Sequence, residues 1–287
     1  MEKVEILIEA LPYIKKFYGK TFIIKYGGSI MNHIEAKKAF FQDIVLLKLV
    51  GINVIIIHGG GPGISNMLKK LSITSEFING LRVTDQKTME VVEMVLSGKV
   101  NKEIAGELCN HGISALGISG RDSNLIRAKK IFASKEDEKI DIGCVGEVES
   151  INKELIVDLL EKGHVPVISP VGSDYAGNIY NVNADYAAAA ISSSLSAEKL
   201  ILLSDVEGLY MDIDNPKTFI SQATSVEIQK YLYEGVISGG MIPKMQCCIK
   251  AIQNGTKDVH VIDGRKPHSL LLEIFTDDGS GTMIRGI

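Results

Sequence analysis

Residues 53–71, NVIIIHGGGPGISNMLKKL, hold the pattern that most narrows what this chain can fold into. NVIIIH is a continuous apolar run, the mark of a strand covered on both faces. Three glycines follow it, and then a helical pattern. The same grammar recurs from end to end. TFIIKY (21–26), GISALGISG (112–120), HVPVISPV (164–171), EKLILLSDV (198–206) and KDVHVIDG (257–264) read as strands. EAKKAFFQDIVLLKLVG reads as a helix stopped by Gly51, and NKELIVDLLEKG, NADYAAAAISSSLSAE and MQCCIKAIQNG read as helices that each precede a strand. Such alternation predicts an α/β fold with a central, mostly parallel sheet and helices on both sides, and ligands beyond the carboxyl ends of the strands. One stretch departs from it. NLIRAKKI and IGCVGEVESI are β-rich and flank the polar ASKEDEKID, which reads as a solvated turn in a local antiparallel excursion.

With 287 residues, 45% of them hydrophobic, the chain can bury one large α/β core or two lobes sharing a sheet. Its formal net charge is -4 and it has no polybasic tract, which argues against nucleic acid. No apolar run approaches the roughly 20 residues of a membrane span, and the first residues lack the pattern of a signal peptide. The four cysteines, Cys109, Cys144, Cys247 and Cys248, have no C-x-x-C spacing and read as free thiols. A cytoplasmic protein is expected.

Ahead of the first strand, Val4, Leu7, Ile8, Leu11, Ile14 and Phe17 or Tyr18 follow helical spacing, which predicts an amphipathic helix. Pro12 should kink it unless a second helix starts there. The helix either covers its own domain or projects to pair with another subunit.

Chemistry gathers at the glycine loops. In KYGGS, Gly27 and Gly28 follow a strand directly, and Lys25 places a charge near its end. Glycine lets backbone N–H groups approach phosphate oxygens closely. HGGGPGIS repeats the arrangement before a helix N-terminus, a position that favours anions. In NGLRVTD, Arg82 offers a carboxylate a fork of donors. In YNVNADYAAAA, Asn183 reads as a helix cap, with Asn181 before it and Asp185 in the first turn. In SGGMIPKMQ, Lys244 sits at the positive end of a helix, which is easier to understand if an anion binds there. Alone, each motif also fits a turn, a cap or a solvated charge. Together, Lys25, Lys244 and Asp185 supply what phosphoryl transfer needs: two cations for a charge-rich transition state and one carboxylate to hold them. A carboxylate acceptor, ionised at neutral pH, needs no general base.

These motifs, with LLSDVEGLYMD and HSLLLEIFTDDGSGTMI, run in order over nearly the whole chain and resemble the amino acid kinase family. GLRVT and NVNAD resemble its acetylglutamate-phosphorylating branch. The resemblance implies a three-layer αβα sandwich of two lobes: residues 1–18 an oligomerisation helix, 19–180 an acceptor-binding and dimerising lobe, 181–287 an ATP-binding lobe. It implies ATP-dependent phosphorylation of the γ-carboxylate of N-acetyl-L-glutamate to N-acetyl-L-glutamyl 5-phosphate, the second step of arginine biosynthesis. Lys25 and Lys244 would then be the transition-state lysines and Asp185 their organiser. Gly60, Gly61, Arg82 and Asn181 would hold the acceptor, with Arg82 on its α-carboxylate. Gly27, Gly28, Asp205, Gly208, Leu209, Tyr210 and Met241 would hold ATP. Mg²⁺ would arrive on the phosphates, without metal ligands from the chain. In members with such an N-terminal helix, the helix links dimers into a ring-shaped hexamer, and arginine inhibits. Tyr13, His268, Glu273, Gly279 and Gly281 are the matching arginine contacts. A nitrogen-signalling protein docking on the ring is left open. Two other readings stand beside this one: another carboxylate or carbamate kinase of the same fold, and a non-catalytic amino-acid sensor.

Overall fold

Side chains alternate along strand β1 (Thr21–Tyr26), so Phe22, Ile24 and Tyr26 face one hydrophobic core while Ile23 faces another. β2 (Asn53–His58) does the same, with Val54 and Ile56 on the first side and Ile55 and Ile57 on the second. A sheet with a core on each face is the middle layer of three. The remaining strands of that sheet are β3 (Ala115–Ser119), β4 (Val165–Ser169), β5 (Lys199–Ser204), β6 (Gln222–Thr224), β7 (Asp258–Asp263) and β8 (Gly281–Arg285). They form one eight-stranded sheet in the order β6-β8-β7-β5-β1-β2-β4-β3. Pairing is parallel from β7 through to β3, and β8 runs antiparallel to β7. This computed structural model describes residues 2–135, 138–277 and 279–286.

The helices that carry the argument are α1 (Glu2–Phe17), α2 (Ile34–Leu49), α3 (Gly61–Lys70), α4 (Gln86–Glu93), α5 (Asn101–Asn110), α6 (Ala184–Ser194), α7 (Met241–Gln253) and α8 (Ser269–Phe275). Helices α1 to α5 and α8 send Phe17, Phe41, Leu68, Val92, Leu108 and Ile274, among others, into the first core. Helices α6 and α7 send Ala187, Ala188, Ile191, Met245 and Cys248 into the second. Lys25 shares the parity of Ile23, so it lies on the side of β1 where α6 and α7 pack.

The sheet's two halves meet where β1 pairs with β5. The expected lobe boundary at residue 180 falls inside a strand, Ile179–Val182, which pairs with Val171–Ser173 and with Glu138–Ile151. The chain leaves that small barrel only at the start of α6.

One local expectation needs correction. Most of ASKEDEKID is paired strand rather than loop, because Ile126–Lys135 and Glu138–Ile151 form a long antiparallel hairpin. Ala133 on one arm and Ile142 and Val145 on the other bury in a small core against Ile78, Leu81 and Val83, which holds the polar arms in register. Residues 136 and 137 of that segment lie outside the described residues. Helix α1 passes through Pro12 as one element, so no second helix starts there.

Candidate active site

The N-terminus of α6 is set by Asn183. Its side chain accepts hydrogen bonds from the backbone N–H groups of Asp185 (2.8 Å) and Tyr186 (3.4 Å), as a capping residue should. Asp185 thereby stands in the first turn, facing the end of β1. Lys25 Nζ lies 2.9 Å from Asp185 Oδ1, and Lys244 Nζ donates to Oδ2 at 2.9 Å. The carboxylate bridges ammonium groups from β1 and α7, far apart in sequence. All three side chains are largely buried, with 14–16% of their surface exposed. Burial alone would push the Asp185 carboxyl up, but Lys25 and Lys244 together hold it well below the usual carboxylate range. Burial likewise disfavours the Lys244 ammonium, and Asp185 reverses that, so its pKa is raised. An ammonium has three donors; Lys244 spends one on Asp185 Oδ2, while Lys25 is held at Oδ1 by charge. The others are available to anionic oxygens.

Helix α7 is tied to α6 by a contact the sequence did not reveal. Cys247, one of the expected free thiols, is buried, and its thiol donates to the backbone carbonyl of Asp185 at 3.1 Å.

The two glycine loops abut beside this charged centre. Gly59 N donates to Tyr26 O at 2.9 Å, and a Cβ on Gly28 would meet the Pro62 ring at 2.8 Å. Glycine at 28 is thus required by the approach of one loop to the other. Gly27 precedes it in extended conformation.

Gly60, Gly61, Arg82 and Asn181, the four expected acceptor residues, line one cavity of about 190 Å³ together with Leu96, Phe77 and the start of α6. Arg82 is 6% exposed. Its guanidinium donates to Ser75 Oγ, to Ser65 Oγ (2.8 Å) and to Gly61 O (3.3 Å), and lies 4.6 Å from the ring centre of Phe77. Sequence reasoning missed Ser65 and Ser75, which aim it; a serine in a helix or loop carries no signal of such a role. Asn181 donates to Thr84 Oγ1 at 3.4 Å.

The expected nucleotide residues sit beyond the carboxyl end of β5. Asp205 is exposed there. Gly208 packs so closely on Thr282 that no Cβ fits, and Leu209 N donates to the Thr282 hydroxyl at 2.8 Å. Tyr210 donates to Glu207 at 2.6 Å, and Met241 opens α7 one turn before Lys244.

A separate cavity of about 290 Å³ lies between α1 and α8. Tyr13, Glu273, Gly279 and Gly281 line it as expected. His268 does not. Its ring contacts the buried Asp43 carboxylate of α2 at 2.6 Å, because a left-handed backbone (φ 60°) at the start of α8 turns it that way. The histidine in the cavity is His260, whose Nδ1 meets Glu273 Oε1 at 2.5 Å and whose Nε2 accepts from Lys199 at 2.7 Å. A polar residue within the apolar run of β7 was the available signal. Tyr13 donates to Asp277, linking α1 to the same wall.

Cations bridged by one carboxylate, beside glycine loops at the carboxyl ends of a parallel sheet, are equipment for moving a phosphoryl group. The chain belongs to the amino acid kinase family, which matches residues 20–263. It is 53% identical to the acetylglutamate kinase of Carboxydothermus hydrogenoformans, over 99% of this chain and 98% of that one. The structure of N-acetylglutamate synthase from Neisseria gonorrhoeae, complexed with coenzyme A and N-acetyl-glutamate, superposes with a TM-score of 0.84 at 26% identity. That match covers 98% of this chain and 63% of the synthase. Carbamate kinase from Giardia lamblia shares the fold, with a TM-score of 0.66 at 15% identity over 94% of this chain and 99% of that one. Within its family the chain belongs to the acetylglutamate kinases.

Proposed function

We propose that Lys25, Lys244 and Asp185 carry out the reaction of that family, ATP-dependent phosphorylation of N-acetylglutamate in arginine biosynthesis. A γ-carboxylate oxygen of N-acetyl-L-glutamate attacks the γ-phosphorus of ATP, the bond to the β-phosphate oxygen breaks, and ADP leaves. No proton is removed, since the acceptor is already ionised. Charge builds on the transferred group and on the leaving β-phosphate. Lys25 and Lys244 neutralise it, and Asp185 keeps both ammonium groups in place. The single observation that supports this is the ion triad, two lysines on one buried carboxylate with donors to spare.

Arg82 pairs with the α-carboxylate of the acceptor, with Asn181, Gly60 and Gly61 around it. Gly27 and Gly28 receive the ATP phosphates, and Asp205, Gly208, Leu209, Tyr210 and Met241 border the nucleoside. Mg²⁺ is carried to the site mainly by the phosphates and water. Arginine binds in the α1–α8 cavity, where Glu273 and Asp277 supply carboxylates for a guanidinium. Ile8 and Leu11 of α1 stay exposed while Phe17 is buried, which supports a helix that docks another subunit and joins dimers into a hexamer.

A coupled ADP-release assay with N-acetylglutamate, glutamate, carbamate and UMP tests the reading. Turnover is expected with N-acetylglutamate alone. Equal turnover with carbamate points to a relative of different specificity, and none with any acceptor to a sensor.

A further inference from the structure

Between α4 and α5 the helix widens into a π-helical turn, Met94–Val100. Such turns often occur at functional sites. Its effect here is legible in pairs of residues five apart. Val95 and Val100 both lie against Gly63, at 3.3 and 3.8 Å from where its Cβ would stand. Leu96 leaves no room for a Cβ on Gly60, and Asn101 meets His58, two residues earlier at the end of β2. Ser97 bonds to Ser169 and Ser119, and Lys102 donates to Gly117 O, both at β3 and its neighbour β4. In an α-helix, residues five apart point about 140° away from each other. The π turn brings them onto one face.

Asn101 also fixes a proton. Its Nδ2 faces the carbonyls of Val167 (2.8 Å) and Ile118 (3.2 Å), so it is the donor end of the amide. It also lies 3.1 Å from His58 Nε2; with two N–H bonds among three acceptors one proton is shared, and Nε2 faces a donor rather than an acceptor. The imidazole proton is left on Nδ1, 2.9 Å from Gly59 O, where it donates. The Gly59 N–H is held by Tyr26 O. The peptide leading into Gly60 and Gly61 is thus gripped at both ends by side chains and strands that no solvent reaches.

We infer that the π turn and Asn101 form a buttress that sets the HGGGP loop, with Asn101 and His58 as positioning residues for the acceptor cavity. Neither touches the acceptor. The inference rests on the reading of that cavity as the N-acetylglutamate site.

Nitrogen NMR of histidine-labelled protein reads the tautomer directly. His58 is expected as neutral Nδ1–H at pH 7; an Nε2–H form or an imidazolium overturns the inference. Asn101→Ala should raise KM for N-acetylglutamate about tenfold, the equivalent of one hydrogen bond lost to the loop. kcat and KM for ATP should stay within about twofold. An unchanged KM for the acceptor overturns the buttress. Should that variant fail to fold, Asn101→Ser retains a donor and should give a smaller rise, with an unchanged KM again decisive against it. The tautomer measurement needs no substrate. If it holds while Arg82→Lys leaves acceptor binding intact, the cavity assignment fails and the buttress does not.

Discussion

Lys25 was legible because a charge inside an apolar run demands an explanation, and Asp185 and Lys244 because each stands in the first turn of a helix. Their meeting on one carboxylate makes specific demands on variants. Lys25→Ala or Lys244→Ala should lower kcat by about 10²–10³-fold with KM for ATP little changed, since the lost interaction matures in the transition state; steady-state kinetics with both substrates varied will show whether the loss lies there. Arg82→Lys should raise KM for N-acetylglutamate about tenfold and spare KM for ATP, because an ammonium cannot reproduce the guanidinium fork. A matching rise for ATP would place Arg82 elsewhere. His260 shows the other side of residue-scale reading. It lies between Val259 and Val261, which face the second core, and only the pairing of β7 with its neighbours shows that it reaches Lys199 and Glu273.

Among elements, the strands of the parallel sheet were the plainest, since burial on both faces leaves almost uninterrupted apolar runs. The hairpin from 126 to 151 was half hidden, because its arms are polar outside and cross-strand pairs such as Ala133 with Ile140 are visible only once registered. Helix α1 was read correctly as amphipathic, but its spacing could not say which apolar residues stay uncovered. Phe17 packs inward and Ile8 is 62% exposed; the side chains of Val4 and Leu7 lie outside the described residues. Deleting residues 1–18 should leave dimers and abolish arginine inhibition while retaining turnover. A truncated protein that still sediments as a hexamer would end that assignment.

At the scale of the molecule, two buried groups oppose each other in mild acid. Burial raises the Asp43 carboxyl from 3.8 to about 6 despite its contact with His268. Between those values the folded state binds more protons than the unfolded, so this group's contribution falls as pH rises. Burial lowers His58 from 6.5 to about 4, so its contribution falls as pH drops through the same range. Each amounts to about 3 kcal/mol, and in the intact chain they largely cancel. Asp43→Asn removes one of them. Its stability should drop more steeply than that of the parent between pH 6 and 4, by about 1.4 kcal/mol per pH unit at most. Urea unfolding at several pH values will show the divergence, and parallel curves would refute it. What the sequence by itself determined was the class of fold and the identity of the charged groups, because strand and helix periods and glycine loops are local. Which histidine faces a cavity and how a π turn meets a loop were decided only by tertiary structure, because those contacts join residues tens of positions apart through the packing of helices on the sheet.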